Sequence, residues 1–159
     1  MVKVLLADYR DPVHAEAVVG LLDSYARDPA GGGTPLAPEV LAELPAALAA
    51  RPQAFSVLAY DGDQAVGLVN CIEGFSTFAC RPLVNVHDVV VLPSHRGQRV
   101  AQRMFARVEA EARARGACKL TLEVLSGNRS ALRAYEREGF AGYQLDPAFG
   151  QALFLQKKL

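Results

Sequence analysis

Along this chain the hydrophobic pattern switches between the strand and helix periods, and the switches mark its elements. Residues 2–7, VKVLLA, form a short apolar run and predict a buried strand. Asp11-Pro12 then opens a helix, because aspartate caps free N–H groups and proline suits the first turn. That helix runs to about Tyr25 and turns Val18, Leu21, Leu22 and Tyr25 to one face. Residues 28–38 contain Gly31-Gly32-Gly33 and three prolines, and predict a loop. A loop of this kind serves as a lid, a substrate loop or a plain connector. A second helix is predicted over residues 39–50, with Pro45 as its point of interruption. Residues 54–60 and 64–73 flank Asp61-Gly62-Asp63 and read as a β-hairpin.

Residues 83–92, LVNVHDVVVL, predict a longer strand whose apolar end belongs at the centre of a sheet covered on both faces. Pro93 stops it. From about Arg99 to Arg115, Val100, Met104, Val108 and Ala112 recur every four residues as a helical core stripe. Gly116 is the expected terminator. Another strand is predicted over residues 117–125. Asn128 then caps a helix to Glu138, and Gly139-Phe140 reads as a left-handed cap with a hydrophobic contact. Two last strands, near residues 140–144 and 151–157, would finish the sheet. The order β-α-α-β-β-β-α-β-α-β-β means an α/β fold with mixed strand directions.

A length of 159 residues predicts one domain over 1–159. With 51% hydrophobic and 21% charged residues, a disordered, collagen-like or disulfide-stapled chain is excluded. The net charge is zero, so the whole molecule is no nucleic-acid binder by charge. The zero conceals a split. Residues 1–63 carry nine acidic and four basic side chains, net −5, and residues 64–159 carry eight and thirteen, net +5. Cys71, Cys80 and Cys118 form no CxxC pair, and with His14, His87 and His95 they give no zinc spacing. Free thiols and a start unlike a signal peptide predict a cytoplasmic protein. No apolar run approaches the roughly 20 residues that span a bilayer, so no membrane partner is expected.

The chemistry concentrates where the apolar strand Val89-Val90-Val91-Leu92 runs through Pro93-Ser94-His95 into Arg96-Gly97-Gln98-Arg99-Val100-Ala101-Gln102. A tight turn into a helix exposes consecutive N–H donors, which favours an anion, phosphate above all. Arg96, Arg99, Arg103, Arg107, Arg113 and Arg115 outnumber Glu109 and Glu111 there, a local net of +4. An ordinary strand-turn-helix with a solvated basic face reads equally from these residues. GxGxxG and GxxxxGK[ST] are both absent.

Arg96-Gly97-Gln98-Arg99-Val100-Ala101 resembles the acetyl-CoA pyrophosphate loop of the GNAT superfamily of N-acetyltransferases, [QR]-x-x-G-x-[GA]. Asn128, Ala131, Tyr135, Gly139 and Phe140 fit its second signature, N-x-x-A-x-x-x-Y-x-x-x-G-F. The resemblance is strong over residues 83–143 and loose over the N-terminal third. Arg99 departs from it, standing where the loop has its central glycine. Either Arg99 keeps a right-handed helical φ/ψ and its charge adds a phosphate contact, the expectation favoured by its place at the start of the helix, or cofactor binding is weaker.

The resemblance implies a GNAT-like fold: a mixed, mostly antiparallel sheet flanked by helices, with a splay at strand 4. It implies acetyl-CoA as donor and a primary amine as acceptor, attacking the thioester directly in a ternary complex. Val89, Val90, Val91, Arg96 to Gln102, Asn128 and Ala131 become the expected cofactor contacts. An N–H near Val89 or Val91 would meet the oxyanion, and Tyr135 would protonate the leaving thiolate. Tyr135 also reads as helix core, with Leu132 three residues before it, and Asn128 as a plain helix cap. His87, Asp88 and Glu123 are the candidate bases, and strand alternation would let only one of His87 and Asp88 face the acceptor. The acidic N-terminal half points to a small cationic acceptor. A non-catalytic acyl-CoA-binding or regulatory domain and a protein-amine acetyltransferase remain alternatives, with a homodimer left open.

Overall fold

The computed structural model describes residues 1–143 and 145–159, in two compact units, Met1–Leu122 and Glu123–Leu159. The first unit holds β1 (Lys3–Leu6), α1 (Pro12–Arg27), α2 (Pro38–Ala49), β2 (Ala54–Asp61), β3 (Gln64–Ser76), β4 (Arg81–Val91), α3 (Val100–Ala114) and β5 (Leu120–Leu122). The second holds α4 (Arg129–Arg137). Short 3-10 turns lie at Pro29–Gly31, Pro93–His95 and Pro147–Phe149. The strands form one sheet in the order β1-β2-β3-β4-β5; the first four are antiparallel neighbours, and β5 runs parallel to β4. This is the α/β sheet of mixed strand directions that the pattern predicts, and the mostly antiparallel form that the resemblance implies.

Both faces of the central strands are covered. Leu58, Leu68 and Val90 pack against Val18 and Leu21 of α1, with Leu22 and Tyr25 partly buried beside them. Burying each such leucine contributes about 1.5–3 kcal/mol. Gly67, next to Leu68, faces the opposite way. A Cβ at Gly67 would stand 2.9 Å from the sulfur of Met104, so glycine is what lets α3 lie this close. The predicted stripe Val100, Met104, Val108 and Ala112 is buried, joined by Phe105.

Local signals place most boundaries. Asp11 accepts the Val13 N–H at 2.9 Å and starts α1. Gly62, at φ 59, turns the β2–β3 hairpin, where Asp61 pairs with Gln64. Gly116, at φ 75, ends α3. The helix α2 continues through Pro45 instead of breaking there, since a proline forfeits only the one bond to Leu41. The loop after α1 is built onto that helix. Thr34 N–H donates to the Ala26 carbonyl, and Leu36 N–H donates to Asp23 Oδ1.

Three expectations are corrected. The strand predicted over 117–125 is only Leu120–Leu122, the residues in parallel register with Val84–Val86 of β4; just before it, Cys118 N–H donates to the Pro82 carbonyl and Val84 N–H to the Lys119 carbonyl. Residues 140–143 and 151–157 form no strand; Gln144 lies outside the described residues. A strand needs a sheet edge to satisfy its backbone, and pattern alone supplies none. Asp146 instead caps the turn at Pro147–Phe149, and Leu153, Phe154 and Leu155 are exposed. Among the described residues no helix is long and apolar enough to cross a membrane.

Candidate active site

The outer edge of β4 is where the sheet opens. On one side β4 pairs with β3 from Arg81 to Val91; on the other it pairs with β5 only from Val84 to Val86. From His87 to Val91 that outer edge has no strand partner among the described residues, which is the splay expected at strand 4. The Leu92 N–H donates to the Val66 carbonyl across β3. Alternation therefore turns the backbone of Val90 toward β3 and those of Val89 and Val91 toward the open edge. The Val91 carbonyl there accepts a 3.1 Å bond from Arg96 Nε. The side chain of Val90 is buried in the core beneath α1.

A β-bulge sits at the start of this edge. Cys71 pairs with Val86 and Asn70 with Asp88, so His87 is an extra residue on β4. Asn70 and Cys71 face opposite sides of the sheet, and Val86 and Asp88 therefore do so too. The simple alternation expected for His87 and Asp88 is thus corrected: the bulge breaks the period of two. Asp88 joins Asn70 and Ser56 on the α1 face, and His87 is exposed.

Asp88 ends a chain of hydrogen bonds whose middle link is buried. The Tyr9 hydroxyl lies 2.8 Å from Ser56 Oγ, Ser56 Oγ donates to Asn70 Oδ1 at 2.6 Å, and Asn70 Nδ2 donates to Asp88 Oδ2 at 3.0 Å. Ser56 and Asn70 are the buried polar residues of the core. Burial pushes the Tyr9 phenol above its ordinary pKa. The Tyr25 phenol is also pushed up, first by burial and then by the charges of Asp88 and Asp28. Asp28 caps the turn after α1 through Ala30 N–H and stands 3.8 Å from the Arg96 guanidinium. Sequence reasoning singled out Asp88 but missed Tyr9, Ser56 and Asn70. The signal for Ser56 and Asn70 was a lone polar residue within an apolar run, FSVLA and LVNCI; Tyr9 had no such signal.

The turn into α3 is a row of bare donors. Arg96 N–H is used by the Pro93 carbonyl, and the helix ladder begins with Arg103 N–H on the Arg99 carbonyl. Between them, the N–H groups of Gly97, Gln98, Arg99, Val100, Ala101 and Gln102 have no partner among the described residues. Gly97 stands at φ 77, and Arg99 at φ 60 and ψ 21. The right-handed conformation expected for Arg99 is corrected: it is left-handed, the conformation that makes glycine the unstrained residue at this position. Left-handed residues set among ordinary ones turn successive N–H groups toward one point, an anion-binding arrangement. Half of the six arginines in the basic strip are spent on α3 itself. Arg107, Arg113 and Arg115 pair with Glu111 and Glu109, and Arg115 also with Glu73. Arg99 and Arg103, exposed beside the bare donors, have no ion pair among the described residues.

The second unit carries the remaining expected residues. Asn128 Oδ1 accepts the Ala131 N–H at 3.1 Å, so Asn128 caps α4. Gly139, at φ 88, closes the helix, with Phe140 N–H on the Tyr135 carbonyl. The rings of Tyr135 and Phe140 meet edge to face at 6.0 Å. Tyr135 is half-buried and Glu123 is exposed. Among the described residues no group of histidine, cysteine and carboxylate side chains could hold a metal.

The profile of the acetyltransferase (GNAT) family matches residues 18–140. The chain belongs to the GNAT acetyltransferase family. It is 37% identical over 90 residues to a streptothricin acetyltransferase of Streptomyces lavendulae, covering 55% of this chain and 48% of that one. It is 32% identical over 83 residues to an aminoalkylphosphonate N-acetyltransferase of Salmonella typhimurium, covering 52% and 54%. The chain thus spans about half the length of the curated GNAT relatives it matches. An aminoglycoside N-acetyltransferase crystallised with CoA shares the fold at a TM-score of 0.76 and 17% identity, over 100% of this chain and 96% of that one.

Proposed function

We propose that this GNAT chain is an acetyl-CoA-dependent N-acetyltransferase for a small cationic amine, both units serving one domain over residues 1–159. The bulged, half-paired end of β4 carries the reading. It presents a carboxylate, Asp88, next to an open backbone edge that leads directly into the bare N–H row. That row fits the CoA pyrophosphate, which needs converging donors and a nearby cation. When bound, acetyl-CoA supplies the activated acetyl thioester. The open edge at Val89 offers its backbone groups to an extended, hydrogen-bonding arm, paired as an added strand would be.

The remaining roles belong to this chain's side chains and backbone. An alkylammonium has a pKa of about 10 and must lose a proton before it can attack. Asp88 receives that proton, through water where the amine does not reach it. The Val89 N–H, turned to the open edge, donates to the thioester oxygen as charge develops. Tyr135, by its place in the second signature, returns a proton to the CoA sulfur. Asp88 and Asp28 both add to the upward push that burial gives the Tyr25 phenol, so negative charge lies near that ring, which supports a cationic acceptor. The relatives named for streptothricin and aminoalkylphosphonate acetylation support transfer to an amine. The unpaired cysteines favour a reducing, cytoplasmic setting.

Thiol release from acetyl-CoA, measured across polyamines, amino sugars, lysine-like amines and neutral amines, tests this. Turnover with cationic amines is the expected result. A thermal shift with acetyl-CoA but no turnover on any amine would favour the non-catalytic binder instead.

A further inference from the structure

Ser56 and Asn70 are polar side chains at the centre of an otherwise apolar sheet, 1% and 8% exposed. Burial of such groups is costly unless every donor and acceptor is matched. Here they are matched in one direction. An ionised Asp88 only accepts, so the Asn70 amide must present its NH2 to Asp88 and its oxygen to Ser56. The Ser56 proton is then committed to Asn70, and Ser56 Oγ can only accept from Tyr9. Burial keeps the Tyr9 phenol protonated, so it remains a donor. Every donor in the chain therefore points toward Asp88. An amide does not pass a proton along as a hydroxyl or imidazole does, so the chain cannot work as a proton wire. What it can do is hold.

We infer that Tyr9, Ser56 and Asn70 form a one-way clamp that fixes the Asp88 carboxylate by Oδ2 and leaves Oδ1 for the acceptor amine or its water. The inference rests on the reading of Asp88 as proton acceptor. It also gives the His87 bulge a purpose, since only that extra residue brings Asp88 opposite Asn70. The three are positioning residues: they act on the reaction through Asp88.

The test is a set of kinetic cycles on the full-length protein, with acetyl-CoA and the best amine of the panel. Ser56→Ala should lower kcat about three- to tenfold, the worth of one buried hydrogen bond, and leave the acetyl-CoA KM unchanged. Ser56→Thr keeps the hydroxyl and should recover most of the loss. Tyr9→Phe removes the outer donor without leaving a cavity. It should give the same pattern with a loss of about two- to threefold, and it carries the test if Ser56→Ala does not fold. In an Asp88→Ala background, neither substitution should lower kcat further. A full-sized additional loss in that background would mean that the chain supports the fold and not Asp88, and would overturn the inference. Wild-type kcat in Ser56→Ala and Tyr9→Phe, with Asp88→Ala impaired, would overturn the clamp and leave Asp88 as acceptor. Wild-type kcat in Asp88→Ala would overturn the Asp88 reading, and the clamp with it.

Discussion

Arg99 is the residue whose local chemistry and position disagree most. A side chain with a Cβ costs about 1–2 kcal/mol in the left-handed region. Glycine avoids that cost but gives back about 0.4–1 kcal/mol through a freer unfolded chain. Arg99→Gly should therefore raise stability by about 0.5–1 kcal/mol and Tm by about 1–4 °C, while Arg99→Ala should give no rise. If the arginine contacts phosphate, the same Arg99→Gly protein should bind acetyl-CoA more weakly, its KM rising about three- to tenfold. A higher Tm together with a higher KM would mark the strain as functional. Tyr135 gives the other residue-scale expectation. Tyr135→Phe keeps the ring against Phe140 and removes one hydroxyl, so kcat should fall by about 10²–10⁴ with little change in the acetyl-CoA KM. A loss under about threefold would make Tyr135 a packing residue.

Among the elements, α1 and the loop after it depend on one carboxylate. Asp23 accepts bonds from Arg27 Nε and from the Leu36 N–H, both at 2.8 Å. Arg27 foremost, then Leu36, holds the Asp23 carboxyl below its ordinary 3.8. A depressed folded pKa means stability that is present above the unfolded value and lost as pH falls through the folded one. The wild type should thus lose this contribution below about pH 4, and Asp23→Asn should lack it at neutral pH. The two proteins should differ in unfolding midpoint at pH 7 and converge near pH 2; a constant gap would show that the bonds are not charge-dependent. Capping explains why such helices were readable beforehand. Asp11, Asn128, Gly116 and Gly139 act within a few residues of themselves, and the structure has each in its expected role.

On the scale of the whole molecule, the split between an acidic and a basic half is partly structural. Asp11 caps α1, Asp28 caps the turn after it, Asp23 pairs with Arg27, and Asp61 pairs with the N-terminus. Asp88, within the basic half, is instead tied to neutral donors. A cationic acceptor drawn by these carboxylates should show salt-sensitive binding. Raising ionic strength from about 0.01 to 0.15 M shortens the screening length from about 30 to 8 Å. The KM of a diamine should then rise about two- to fivefold while that of a neutral amine stays level, in steady-state assays at fixed acetyl-CoA. Equal responses would show that the acidic half serves solubility alone.

What the sequence determined by itself was local: the α3 stripe, the helix caps, the glycine turns, and the loop into α3 with its second signature downstream. Each depends on side chains within about four residues, where period and capping chemistry are enough. The tertiary structure decided what depends on partners far along the chain. Tyr9 reaches Ser56 across 47 positions, Ser56 reaches Asn70 across 14, and Asn70 reaches Asp88 across 18. The bulge at His87 and the short reach of β5 are likewise matters of register. No local pattern encodes these, because a one-residue slip between strands changes which side chains meet without changing the apolar rhythm of either strand.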